Sequence, residues 1–279
     1  MRTIIYGLMA AGTLAAQSVG GPVLGYVVDG GARMRPLNGM PAAAHVGAAI
    51  QEGVRDTWGE LALLIDGTAM LKGQALEGRW ASLQPGAFLD AAGREVLVTG
   101  ESVTPWRLTL PERALAVRVS TSGERVLTLL ADERLAAWTV GGKAEYSFAV
   151  SAWWSFAFAG ERAMAYDPAA NSLFWIDAGS GMTLLRKLAG DGGRYALAVD
   201  AAGKTAVLLS ERALVVPVGG GDVTTIEMPE GAGRLEAMRG GRAYLLTRDP
   251  ARPLWVLDPE SENPLLVIPA LENDNGAQR

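Results

Sequence analysis

The 279-residue chain has no cysteine and a single histidine. The first absence removes disulfides, thiolate metal sites, cysteine nucleophiles and a lipidated N-terminal cysteine together. The second leaves His45, in "PAAAHVGAAI", as the sole imidazole available to a catalytic triad, and one histidine cannot furnish a His-rich metal site. No G-x-S-x-G elbow surrounds any serine, so His45 is expected to be structural or simply exposed. There is no excess of positive charge either. The net charge is −5 and the basic residues are scattered singly, which speaks against nucleic acid and against a polybasic membrane patch. After residue 20 no apolar run is long enough to span a bilayer, so no membrane span is expected in the mature chain.

What is present is apolar and rich in glycine. Hydrophobic residues make up 49% of the chain and glycine occurs 35 times, a composition of many short buried strands joined by tight turns. Residues 1–20 carry Arg2 followed by an apolar segment from Ile4 to Ala16 and then small residues, the pattern of a cleavable signal peptide. Export to the periplasm or beyond the cell is the expectation. Residues 21–270 then form one domain and 271–279 a disordered polar tail.

Five hairpins can be laid over one another: "FLDAAGREVLVTG" from Phe88, "VRVSTSGERVLTLL" from Val117, "FAFAGERAMAYD" from Phe156, "LAVDAAGKTAVLLS" from Leu197 and "EAMRGGRAYLLTR" from Glu236. Their turn glycines, Gly93, Gly123, Gly160, Gly203 and Gly241, suit a last turn residue at positive φ. They are spaced by 30, 37, 43 and 38 residues. A third strand follows each hairpin. Trp106, Trp138, Trp175 and Trp255 fall in one register there, with Val215 in the intervening place, and are expected to be core wedges. A more variable fourth strand completes several units, as in "MTLLRKL", "DVTTIEM" and "PLLVIPA". Four strands at a period near 40 are the sequence form of a β-propeller blade.

Toward the N-terminus, residues 59–76 form a hairpin about an Asp-Gly turn and residues 23–39 form another, with an irregular Ala-rich connection over 40–56. The expectation is an all-β propeller of six to seven four-stranded blades, seven preferred. The N-terminal strand pair is either a degenerate seventh blade or the piece that closes the ring. The Asp-x-x-Gly-basic turns "DAAGREVLV" and "DAAGKTAVLL", with "STSGERVLTLL" a looser copy, resemble the hairpins of the YVTN-like and WD40-like propeller superfamily. That resemblance implies a fold and carries over no site. The Gly-His and Trp-Asp pairs of true WD repeats are missing.

Candidate chemistry is sparse, and no catalytic, cofactor-binding or metal-binding residue is assigned. "GGGD" at Gly219 to Asp222 is a turn between the third and fourth strands of a unit, "GSG" at Gly179 to Gly181 is a turn, and "NDNG" at Asn273 to Gly276 lies in the polar tail. Recurrent Glu-Arg pairs at Glu112, Glu124, Glu133, Glu161 and Glu211 occupy solvated turns. Asp90, Asp177, Asp200 and Asp258 sit at strand ends, where turn formation competes with a role at a channel mouth. Trp153 and Trp154 lie outside the core register and are the candidates for an exposed aromatic contact. The sequence therefore favours an exported, non-catalytic module that binds a protein or an envelope component. The alternatives are a propeller enzyme, either a calcium-assisted lactonase-like hydrolase or a carbohydrate-active one, and a sugar-binding module.

Overall fold

The computed structural model describes residues 21–271, except 101–102, 178–180, 190–191, 201 and 248. The expected signal peptide and the polar tail from residue 272, with its "NDNG", lie outside the described residues. The chain folds as a seven-bladed β-propeller of antiparallel sheets. Blade 1 has three strands, β1 Val23–Val28, β2 Met34–Asn38 and β3 His45–Val46, with a 3-10 turn at Pro41–Ala43. Blade 2 is β4 Val54–Trp58, β5 Leu61–Leu64, β6 Ala69–Leu71 and β7 Gln74–Leu76. Blade 3 is β8 Ser82–Gln84, β9 Ala87–Leu89, β10 Glu95–Val98 and β11 Trp106–Thr109. Blade 4 is β12 Ala114–Val119, β13 Arg125–Leu130, β14 Arg134–Thr139 and β15 Lys143–Ala149. Blade 5 is β16 Ser155–Ala159, β17 Arg162–Asp167, β18 Ser172–Asp177 and β19 Gly181–Lys187. Blade 6 is β20 Ala196–Val199, β21 Thr205–Leu209, β22 Arg212–Pro217 and β23 Thr224–Glu227. Blade 7 is β24 Glu236–Ala237, β25 Tyr244–Leu245, β26 Leu254–Leu257 and β27 Leu265–Ile268.

The burial pattern explains the architecture. Second strands such as β13 and β21 are buried at every position after the first, because a neighbouring blade covers each face. Fourth strands such as β15 and β23 are largely exposed, which is why their sequences drift. Among the described residues, buried apolar side chains segregate into seven clusters, one between each pair of neighbouring blades. The cluster between blades 1 and 2 is the smallest, with Met34, Val54 and Ala62 its buried members.

The Asp-x-x-Gly-basic turn has a clear physical form. The Asp90 carboxylate accepts the backbone N–H groups of Arg94 and Glu95, and Asp200 accepts that of Lys204. Glycine closes each turn in the left-handed region, at φ of 70° for Gly93 and 69° for Gly203. Ser120 plays the aspartate's part in blade 4 through its hydroxyl. Asp29 plays it in blade 1, but there the left-handed position is Ala32, at φ of 56°.

Two expectations need correction. The Phe88 hairpin joins β9 to β10, the second and third strands of blade 3, whereas the other four join first to second. The true first hairpin of blade 3 is β8–β9, closed by the two residues Pro85 and Gly86. This slip in rank accounts for the short interval before Gly123. It also places Trp106 on the fourth strand, β11, while Trp138, Trp175 and Trp255 are on third strands. Trp106 instead donates its indole N–H to the Gly123 carbonyl of the next blade, at 3.0 Å. The N-terminal pair, for its part, is a blade of its own. It packs on blade 7 through Leu24, Val27 and Leu37 against Met238, Leu254 and Val256, and exchanges no strand with it.

Candidate site in the axial channel

The first strand of each blade lies at a sheet end and pairs on one side only. Ringed about the axis, these edges enclose a cavity of about 1120 Å³. Its wall is built largely from small or apolar positions, such as Ala157, Ala196, Ala198 and Gly25, and from the turns that follow the first strands, such as Pro85–Gly86 and Gly240–Gly241. Hydroxyl groups come from Tyr26, Thr99, Ser120, Thr121 and Thr247.

The charges are not evenly distributed. Among the described residues the wall carries one carboxylate, Glu60, against Lys72, Arg118, Arg234 and Arg239. Glu60 is engaged by Lys72 at 3.3 Å. Burial, together with the nearby Glu60, pushes the Tyr26 hydroxyl above its ordinary range, and Arg239 only partly offsets this.

Arg234 and Glu236 form a buried clasp. Arg234 pairs with Glu236, donates to the Thr57 carbonyl, approaches Asp56 at 3.7 Å and lies 4.8 Å over the Trp58 ring. Glu236 in turn accepts the Gly59 N–H at 2.7 Å. The clasp ties blade 7 directly to blade 2, bridging the small apolar interface between blades 1 and 2. Buried charges of this kind are tolerable because each is compensated.

Arg118 differs. It lies near the end of β12, part-buried, with its guanidinium 5.7 Å from the Phe156 ring centroid on the neighbouring blade. One N–H donates to the Val117 carbonyl at 2.9 Å. Among the described residues no carboxylate pairs with it. Burial pulls its pKa down to about 10, so it remains cationic at neutral pH.

The residues singled out in the sequence lie elsewhere. Asp90 and Asp200 cap turns, Asp177 pairs with Arg162 at 3.3 Å, and Asp258 pairs with Arg242 at 3.4 Å and accepts the Glu260 N–H. The structure does not bring these four aspartates together. For Asp90, burial opposes ionisation, but the N–H groups of Glu95, Arg94, Ala92 and Gly93 outweigh it and hold the carboxyl below its usual range. His45 is exposed and pairs with Asn38 at the edge of blade 1. Of the Glu-Arg pairs, Glu161 is more than a solvated turn, because it accepts the Ser122 N–H across the interface between blades 4 and 5.

Trp153 is 52% exposed, and the Arg194 guanidinium lies over its ring. Both belong to connections between blades, before β16 and before β20, on the face where successive fourth strands hand over to first strands. Trp154 is part-buried and stacks on Phe174, with ring centroids 5.8 Å apart. Arg118, Arg234 and Glu236 escape a reading of motifs because none belongs to one. Their only signal is a charge inside an apolar first strand, "LAVRVS", or at the threshold of one, "GAGRLEAM".

No family model matches the chain, and no curated protein matches it. Solved structures do. A functionally unknown protein from Desulfotomaculum acetoxidans aligns over 88% of this chain and 94% of its own, with a TM-score of 0.55 and 14% identity. The dihydro-heme d1 dehydrogenase NirN, in complex with DHE, aligns over 89% of this chain and 67% of its own, at 0.51 and 14%. Virginiamycin B lyase from Staphylococcus aureus aligns over 92% of this chain and 87% of its own, at 0.50 and 13%. At these identities the likeness is one of fold: the chain is a seven-bladed propeller of the kind its repeats foretell.

Proposed function

We propose that the protein is an exported, non-catalytic propeller that presents one loop face to another protein or cell-envelope component. The observation that carries this reading is the Trp153–Arg194 pair. Tryptophan and arginine are the residues that most often anchor protein interfaces, and a large exposed aromatic held under a guanidinium is ordered before any partner arrives. The platform beneath it is packed by aromatic contacts. Trp154 stacks on Phe174, and Tyr195, next to Arg194, meets Tyr166 edge-on with centroids 5.5 Å apart. Export is supported by Arg2 and the apolar segment that follows it.

A photo-crosslinking amino acid at position 152, beside an intact Trp153 and used in whole cells, tests the partner. One discrete adduct, lost when Trp153 is changed to Ala, is expected. Absence of any adduct, together with turnover in a broad hydrolase and lyase screen, would defeat the reading. For export, residues 1–22 fused to a periplasm-dependent phosphatase should give an active reporter, and an inactive cytoplasmic fusion would refute it.

A further inference from the structure

We propose that the axial channel is a binding site for an organic carboxylate, with Arg118 receiving the carboxyl group and the small, apolar residues of the wall receiving an apolar body. Three observations meet at this residue. The cavity is of ligand size, at about 1120 Å³. Its described wall is electropositive in a chain of net charge −5, so the charge has been concentrated against the sign of the whole. Of the channel-wall arginines, Arg234 is neutralised by Glu236 and Asp56, while Arg118 has a carbonyl and an aromatic face but no carboxylate among the described residues.

The chemistry selects among anions. A guanidinium has five donors in a planar fork that matches a carboxylate in bidentate fashion, and Arg118 commits one of them to Val117. Lys72 is taken by Glu60, so the cations left to meet a ligand are Arg118 and, at an exposed position of the wall, Arg239. That favours a singly charged acid over a phosphate dianion. Beside Arg118, Phe158 with Ala157 and Ala198 in the same wall offers apolar surface to a short alkyl or aryl body. The site is separate from the Trp153 platform.

Titration calorimetry of the mature protein with sodium octanoate, 1-octanol and sodium chloride is the test. Octanoate should bind saturably and with one site. Arg118→Gln should weaken it by roughly ten- to a hundredfold, the effect of removing one charge-assisted donor pair. Octanol should bind weaker than octanoate by a similar factor, and Trp153→Ala should leave octanoate binding unchanged. No saturable octanoate binding to the folded wild type, equal binding by Arg118→Gln, or equal binding of octanol would each overturn the proposal. Chloride competing at the same concentration as octanoate would overturn the organic part. If Arg118→Gln loses its near-ultraviolet circular dichroism, Arg118→Lys takes its place. It keeps the charge and stem but not the fork, and it should bind severalfold more weakly. Unchanged affinity in that variant overturns the role of Arg118.

Discussion

Replacing Ala32 by glycine should stabilise the protein, an unusual outcome for a substitution that removes a methyl group. Among the Asp-type turns of blades 1, 3 and 6, this is the one whose left-handed position is not glycine. Ala32 sits at φ of 56°, against 70° at Gly93 and 69° at Gly203. An L-residue in this region costs roughly 1–2 kcal/mol. Glycine takes back about 0.5–1 kcal/mol through its greater freedom in the unfolded chain. The net gain is therefore about 0–1.5 kcal/mol, centred below about 1 kcal/mol. The backbone cannot relax away from the strain, because the Asp29 carboxylate holds the N–H groups of both Gly31 and Arg33 and the Ala32 N–H returns to the Asp29 carbonyl at 2.9 Å. The reciprocal change, Gly203→Ala, should cost more than Ala32→Gly gains, since a Cβ there would also meet the Trp175 ring at 3.1 Å. Urea unfolding followed by tryptophan fluorescence reads both, as midpoint shifts of opposite sign at a constant slope. A lowered midpoint for Ala32→Gly would refute the turn assignment, and with it the reading of the N-terminal hairpin as a copy of the others.

Other consequences are open to simpler tests. Glu236→Ala leaves the Arg234 charge without its closest partner and should cost about 3–5 kcal/mol, read by urea unfolding, whereas Glu260→Ala on the surface should fall within about 0.5 kcal/mol of wild type. Burial raises the Asp29 carboxyl, but Arg35, Arg33 and Gly31 outweigh it and hold it below its ordinary value. Its contribution is therefore complete above the unfolded value near ~4 and is lost as pH falls through the lower folded value, so Asp29→Asn should flatten the acid limb of a stability–pH curve. Tyr166→Phe removes a hydroxyl that donates to Asn171 at 2.9 Å in a buried setting, and a loss of about 1–2 kcal/mol is expected in the same assay.

The periodic part of the fold was legible because each blade repeats one local problem, a tight turn between strands covered on both faces. Turn glycines and largely buried second strands mark it in blades 4 to 7, with or without an Asp or Ser cap. Legibility failed where local signals ran short. The first strand of blade 3 has three residues and a two-residue Pro85–Gly86 turn, so the longer "DAAGR" turn after it drew the alignment one strand outward. In blade 1, Ala32 replaces the glycine and the third strand is two residues long, and the residues 40–56 that read as irregular hold β3 and the start of β4. The channel was harder still. Which apolar strand lies innermost is decided by how the blades close, and a lone arginine in "LAVRVS" gains meaning only once that strand is known to face the axis.

Closure also explains why two arginines near the same axis should answer a substitution differently. Blades 1 and 7 share no strand, and the interface between blades 1 and 2 buries little apolar surface, so Arg234 and Glu236 supply a polar tie from blade 7 to blade 2. Arg234→Met leaves Glu236 buried at 3% exposure with its charge uncompensated, and a loss of about 3–5 kcal/mol follows. Arg118 has no acid to strand. Its burial already works against its own charge, and methionine keeps an apolar stem against Phe156, so Arg118→Met should raise stability by about 1 kcal/mol. The same exchange, at two places on one channel, is thus expected to carry opposite signs. A charge held on a channel wall against the cost of its own burial fits a binding role better than a structural one. If Arg118→Met destabilises the protein as much as Arg234→Met does, Arg118 belongs to the structure of the ring and not to a site within it.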